Sequence, residues 1–213
     1  MDLDRDGAGL FARAFSPAEI AALRALLSRH KGSARLAPTQ GLADFLAPAT
    51  ALARRFLPNA QPVFARWFDK TAAQNWSLGW HQDRTIAVRA RREVPGFGQW
   101  TLKSDIPHVV PPFEFLARML TLRLHLDDVD EANAPLLAAP GSHRLGRLAE
   151  ADIPDAVKSC GTRACLAEAG DAWLYAAPIL HASGRAEAPA RRRVLQLAYS
   201  AHPLPGGLEW LGV

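Results

Sequence analysis

Apolar positions recur with two different periods along this chain. Over residues 16 to 57 the period is helical. Ser16-Pro17-Ala18-Glu19 offers an N-cap, a proline at the first helical position and a glutamate three residues after the cap, the elements of a reciprocal capping box. Ile20, Leu23 and Leu27 then share one face, and Gly32 supplies a stop. A second helical stretch is expected from about Gly41 to Leu57, interrupted near Pro48.

After Pro58-Asn59 the period shortens towards two. Pro62 to Phe68 and Trp76 to Asp83 read as strands rich in aromatic and branched residues, and Arg84 to Val94 as a possible extended continuation. Residues 95 to 112 are broken by prolines and carry no period, so the expectation is a long loop, a candidate substrate cover. A short helical turn fits Pro112 to Met119. Leu120, Leu122, Leu124 and Leu126 then alternate with Thr121, Arg123 and His125, the clearest strand signal in the chain.

Asp127 to Pro135 is turn chemistry, Leu136 to Ala139 a short strand, and Pro140 to His143 another turn. Residues 149 to 160 look helical. Cys165 to Ala167, Ala172 to Ala176, Ile179 to Ala182 and Arg193 to Ser200 read as further short strands. Helices followed by many closely spaced strands predict a mainly β fold with flanking helices, a jelly-roll-like barrel. The expected organisation is one domain over 1–213, with 1–57 a mainly helical flank and 58–213 the jelly-roll core.

Composition changes little in this picture. With 49% hydrophobic and 22% charged residues over 213 positions, the chain is ordinary globular material long enough for a sizeable core. The net charge is +4, and 21 of the 25 basic residues are arginines scattered along the chain rather than gathered in a tail, so nucleic acid is not the expected partner. The first residues carry acids and no basic-then-apolar leader, and no stretch approaches the ~18 apolar residues of a membrane span. The expectation is a cytoplasmic protein without a membrane partner. Cys160 and Cys165 are the only cysteines, at a spacing unlike CxxC, and read as reduced structural thiols.

Candidate chemistry begins at Trp80-His81-Gln82-Asp83. On a strand, His81 and Asp83 point the same way, placing an imidazole and a carboxylate on one face. A third ligand would complete the two-histidine, one-carboxylate set of non-haem Fe(II) centres. His108, His125, His143, His181 and His202 are available, and His-x-Asp alone is a weak signal. We favour His181, which ends the strand pair introduced by Gly170-Asp171, far enough along for a barrel to close and bring it opposite His81. Ser183 and Arg192 follow it. A guanidinium there could grip the far carboxylate of a dicarboxylate bound to iron through its other end.

With these residues in hand, the sequence resembles the phytanoyl-CoA dioxygenase family of Fe(II)- and 2-oxoglutarate-dependent oxygenases. The resemblance rests on Phe68-Asp69-Lys70-Thr71, Trp80-His81-Gln82-Asp83, Asn133-Ala134-Pro135-Leu136 running into Pro140-Gly141-Ser142-His143-Arg144, Gly170-Asp171, and His181-Ala182-Ser183-Gly184 with Arg192-Arg193. Ala134 stands where the family usually has Gly.

The resemblance implies a double-stranded β-helix of cupin-like type, with iron on His81, Asp83 and His181. It places 2-oxoglutarate on Arg192 and Ser183, with Lys70 and Trp100 as further contacts and O2 as the other co-substrate. Hydroxylation of a small molecule with release of succinate and CO2 is the implied reaction, because related halogenases carry Ala or Gly where Asp83 stands. Two other functions fit the same residues: a non-catalytic jelly-roll binding protein, and a hydroxylase of protein side chains, which a wide groove in place of residues 95 to 112 would favour. Oligomeric state is not legible in the sequence.

Overall fold

The computed structural model describes residues 2–38, 41–187 and 190–213, so positions 1, 39, 40, 188 and 189 of the expected segments lie outside the described residues. The N-terminal part contains α1 (Leu3–Asp6), β1 (Ala8–Phe11), α2 (Pro17–Leu26), β2 (Gly32–Leu36) and α3 (Ala47–Arg54). Strands β3 (Gln61–Lys70), β4 (Leu78–His81), β5 (Ile86–Ala87), β6 (Gly98–Lys103) and β7 (Ile106–Val110) follow, then α4 (Phe113–Ala117), β8 (Leu120–His125) and β9 (Leu136–Ala138). The chain ends with α5 (Ile153–Cys160), β10 (Arg163–Cys165), β11 (Ala172–Ala176), β12 (His181–Ser183) and β13 (Arg192–Ser200).

These strands build a six-stranded sheet in the order β1-β11-β8-β13-β3-β2, a four-stranded sheet β10-β9-β12-β4 and a three-stranded sheet β5-β7-β6, all antiparallel. The two larger sheets are the walls of a cupin-like jelly roll. Strand β8 explains why every second residue there is leucine. Leu122, Leu124 and Leu126 are fully buried with Ile20, Leu23 and Leu27 of the α2 region and Ala49, Leu52 and Ala53 of α3, so the helices cover the outer face of the large sheet. Each fully buried leucine contributes about 1.5–3 kcal/mol relative to exposure. The other face, Thr121, Arg123 and His125, is buried as well and turns into the barrel.

The capping box at α2 forms as its spacing implies. Glu19 N–H donates to Ser16 Oγ at 3.3 Å, and the Ser16 N–H donates to Glu19 Oε2 at 2.7 Å. The N-terminal flank is less helical than expected, however. Strands β1 and β2 are the two edges of the six-stranded sheet. Gly32, at φ 62, opens β2 rather than merely ending a helix, and its neighbours Ser33 to Leu36 pair in register with β3. Short edge strands bury only part of one face, so they leave little periodic signal.

A second difference concerns residues 95 to 112. Instead of a loose cover they form the hairpin β6–β7, with Lys103 opposite Ile106. Ser104 (φ 53) and Asp105 (φ 60) make its two-residue turn, the positive-φ pair that suits the twist of a hairpin. Asn-Gly would have announced this turn; Ser-Asp did not. Pro107 lies within β7, and its carbonyl accepts the Val88 N–H at 3.0 Å. Between 84 and 94, only Ile86–Ala87 is a strand. Cys160 and Cys165 are both free thiols. Among the described residues no helix is long and apolar enough to cross a membrane.

Candidate active site

Strands β4 and β12 pair antiparallel in the smaller sheet, and their register sets His181 directly opposite His81. Asp83 lies two residues beyond β4. One nitrogen from each imidazole and one oxygen of the carboxylate lie within 4.8 Å of one another, the only group of this kind among the described residues. The two ring centroids are 4.3 Å apart at 54°.

Backbone contacts orient both rings. His81 Nδ1 lies 2.8 Å from Gly79 O, and His181 Nδ1 lies 3.0 Å from Ile179 O. Each carbonyl accepts a hydrogen from Nδ1, which fixes the tautomer and leaves the Nε2 lone pair free towards the cluster, the arrangement that metal-ligating histidines need. Burial pulls the His181 pKa down, with the Asp83 charge opposing, so the imidazole stays in its neutral, ligating form. This donor set fits a divalent first-row metal with positions left open.

Gln82, between the two candidate ligands, was not singled out in the sequence. It is buried, donates through Nε2 to Gly146 O and Pro178 O at 2.9 Å, and accepts the Leu148 N–H at 3.0 Å. One side chain thus ties the ligand-bearing turn to two other segments. The sequence signal was its place in the His-x-Asp motif, on the face opposite the ligands.

Between the two larger sheets, the cluster opens into a cavity. Lys70, Arg123, Ser183 and Arg192 line it along with His81, Asp83 and His181. Alternation on the last strand sorts the three consecutive arginines. Arg191 pairs with Asp69 at 3.0 Å and Arg193 with Asp127 at 2.7 Å, whereas Arg192 is 3% exposed and turns into the barrel. Its Nε and Nη1 are buried without a hydrogen-bond partner. Burial, with the neighbouring Arg123 adding to it, pushes its pKa down to about 9. A buried cation with unmet donors is costly unless an anion arrives.

Lys70 stands opposite Arg192 in register and is 4% exposed. Its Nζ donates to Trp76 O at 2.6 Å, Gly184 O at 2.9 Å and Ser183 Oγ at 3.3 Å. Burial lowers its pKa to about 8, with Arg192 and Arg123 contributing. Arg123 donates to Gln196 Oε1 at 2.8 Å and stacks 5.0 Å over Phe68. Among the described residues, Asp83 is the only carboxylate lining this cavity. The donors present fit a small dicarboxylate chelated to a metal on the cluster.

Trp100 does not join this group. It lies on β6, packs with the apolar cluster that contains Phe97, and has the Arg91 guanidinium 5.6 Å over its ring; it lines neither the cluster's cavity nor its mouth. The hairpin carrying it replaced the loop on which that contact was expected, and β6 directs it elsewhere. Of the other histidines, His125 is fully buried inside the large sheet, and burial beside Arg123 and Arg192 holds its pKa near 3. His108 lies on β7 and donates from Nδ1 to Ile106 O at 2.9 Å.

A family model described as phytanoyl-CoA dioxygenase matches residues 3–194. Among curated proteins, no match was found. Solved structures of similar fold include EctD from S. alaskensis in its apoform, with 21% identity and a TM-score of 0.72, covering 99% of this chain and 78% of EctD. The non-heme alpha ketoglutarate dependent carbocyclase SnoK from nogalamycin biosynthesis is 16% identical with a TM-score of 0.69, covering 99% and 85%. HygX from Streptomyces hygroscopicus, solved with nickel and 2-oxoglutarate bound, is 14% identical with a TM-score of 0.65, covering 93% and 83%.

Proposed function

We propose that this chain, which belongs to the phytanoyl-CoA dioxygenase family and is therefore a 2-oxoglutarate-dependent non-haem iron oxygenase, hydroxylates a small molecule at an iron held by His81, Asp83 and His181. The observation that carries this reading is the convergence of two imidazoles and one carboxylate within 4.8 Å, with both rings donating from Nδ1 to backbone carbonyls. When bound, iron and 2-oxoglutarate supply the oxidation: O2 and 2-oxoglutarate are consumed, succinate and CO2 leave, and a substrate C–H becomes C–OH.

The chain's own part is to bind, orient and exclude water. His81 and His181 offer Nε2 on one face of the site and Asp83 a carboxylate oxygen. Arg192 lines the adjoining cavity and has unpartnered donors, and a guanidinium can hold a carboxylate with two parallel hydrogen bonds. Lys70 and the Ser183 hydroxyl stand beside it as further donors. Phe68, Leu136 and Ala182 give the same cavity apolar walls. A preorganised, partly dry site of this kind strengthens charge interactions with the co-substrate. The small-molecule reading is supported by the hairpin β6–β7, which stands where a protein side-chain hydroxylase would need an open groove.

The test is succinate formation from 2-oxoglutarate under air with added Fe(II). Wild-type protein forms it, Asp83→Ala does not, and a metabolite extract containing the substrate accelerates it.

A further inference from the structure

Beyond the metal cluster lies a second chamber, which shares Asp83, Arg66 and Gln196 with the cavity that holds Arg192. Its lining divides into two parts. Arg35, Arg66 and Lys103 also line the open groove leading outward, so they sit at the chamber's mouth. Val63, Leu116, Met119 and Trp210 line the chamber alone and give it an apolar part, beside the polar His108 and Thr121.

Among the described residues the three cations at the mouth form no ion pair. Arg35 and Arg66 are directly opposite each other across β2 and β3, a like-charge pairing that sheets ordinarily avoid. Arg66 donates only to Ser33 Oγ, at 2.9 and 3.1 Å, and Lys103 only to Thr85 Oγ1, at 2.9 Å. Arg35 has no hydrogen-bond or ion-pair partner among the described residues. By contrast, Arg24 and Arg193 pair with Asp127, and Arg191 with Asp69. At the mouth the only nearby acids are Asp83, which belongs to the metal cluster, and Glu150, which lies 4.0 Å from Arg84. Burial and mutual repulsion lower the pKa values of Arg66 and Lys103, as expected of cations awaiting an anion.

We propose that the primary substrate is an oxyanion, a carboxylate or phosphate on an apolar body. Arg35, Arg66 and Lys103 grip the anionic group at the mouth, and the apolar body fills the chamber lined by Val63, Leu116, Met119 and Trp210. Because Asp83 borders both spaces, a molecule anchored in this way presents carbon to the metal cluster. This substrate class rests on the reading of His81, Asp83 and His181 as the reaction centre.

The experiment is calorimetric titration of protein saturated with Fe(II) and 2-oxoglutarate under nitrogen, using phenylacetate, phenyl phosphate and neutral phenylacetamide as probes. At least one acid is expected to bind about tenfold or more tighter than the amide, and less tightly as salt is raised. Arg35→Gln and Lys103→Gln should each weaken that acid about fivefold or more while leaving 2-oxoglutarate affinity alone. Whichever acid binds tighter identifies the anion. Equal binding of amide and acids, no binding of either acid, or acid binding indifferent to both substitutions would overturn the proposal. Loss of Fe(II)-dependent 2-oxoglutarate binding in wild-type protein would instead overturn the oxygenase reading, and it is measured separately in the same instrument.

Discussion

His81 and His181 occupy directly paired positions on β4 and β12, with ring centroids 4.3 Å apart. Each donates a hydrogen from Nδ1 to the carbonyl two residues before it. Paired strands thus do what a loop could not: they fix two ligands by register, and the carboxylate two residues past β4 completes the set. His181→Ala or Asp83→Ala should therefore lower Fe(II) affinity by about 100-fold or more, with the fold retained by circular dichroism. Equilibrium dialysis with Fe(II) under nitrogen checks it.

Gln82 holds the ligand-bearing turn through three hydrogen bonds to Gly146, Leu148 and Pro178. Replacing it by Ala should reduce metal affinity about 10-fold to 100-fold, the usual effect of losing a residue that orients ligands. Since it touches no metal, the loss should appear in Fe(II) affinity and not in the 2-oxoglutarate concentration needed once iron is saturating.

Arg192 is buried with two unpartnered donors. Arg192→Met should weaken 2-oxoglutarate by 2–5 kcal/mol, roughly 30-fold to several thousand-fold, while leaving Fe(II) affinity near wild type. The same change should raise the melting temperature of the metal-free protein, because it removes a buried charge whose desolvation nothing offsets in that state. Opposite signs in binding and stability would distinguish a co-substrate anchor from a structural cation.

The pH dependence of co-substrate binding follows from Lys70, whose pKa burial lowers to about 8. Below pH 8 it is charged and favours an anion; above it the charge is lost. Binding of 2-oxoglutarate should therefore weaken as pH rises through about 8, and Lys70→Arg should flatten the profile. Folding stability moves the other way. The folded pKa lies below the usual lysine value of 10.5, so the cost of the buried charge is full below pH 8 and is relieved between 8 and 10.5.

His125 gives the acid side a separate signature. It is fully buried, both ring nitrogens lack partners, and its pKa falls from 6.5 to about 3. Between those values the unfolded chain binds a proton that the folded chain does not, so stability falls as pH drops from 6.5 towards 3, by up to about 1.4 kcal/mol per pH unit. A His125→Leu variant should lose His125's share of this dependence, as urea unfolding at pH 7 and pH 5 would show.

Much of the fold was legible where burial imposes a period. The Leu120 to Leu126 alternation and the capping box at Ser16 appear where the pattern placed them, and the strand expected over Pro62 to Phe68 runs slightly longer, Gln61–Lys70. The edge strands β1 and β2 were not, because pairing on one side and partial burial leave no strict alternation. The β6–β7 hairpin was hidden by Pro107, whose carbonyl rather than an N–H serves its strand position, and by a Ser-Asp turn that any loop could contain. At the site, His81, Asp83, His181, Lys70, Ser183 and Arg192 converge as their order in the sequence suggested. Trp100 does not, since its position depended on the misread segment. The cations at the chamber mouth come from β2, β3 and β6, three elements whose proximity only the folded topology reveals.

The most direct measurement is anaerobic equilibrium binding of Fe(II) and 2-oxoglutarate to wild-type, Asp83→Ala and Arg192→Met proteins. The expected result is about one Fe(II) per chain, 2-oxoglutarate binding that requires the metal, loss of both in Asp83→Ala, and loss of 2-oxoglutarate alone in Arg192→Met. Tight iron binding undiminished in Asp83→Ala, or 2-oxoglutarate binding that ignores both the metal and Arg192, would contradict the account.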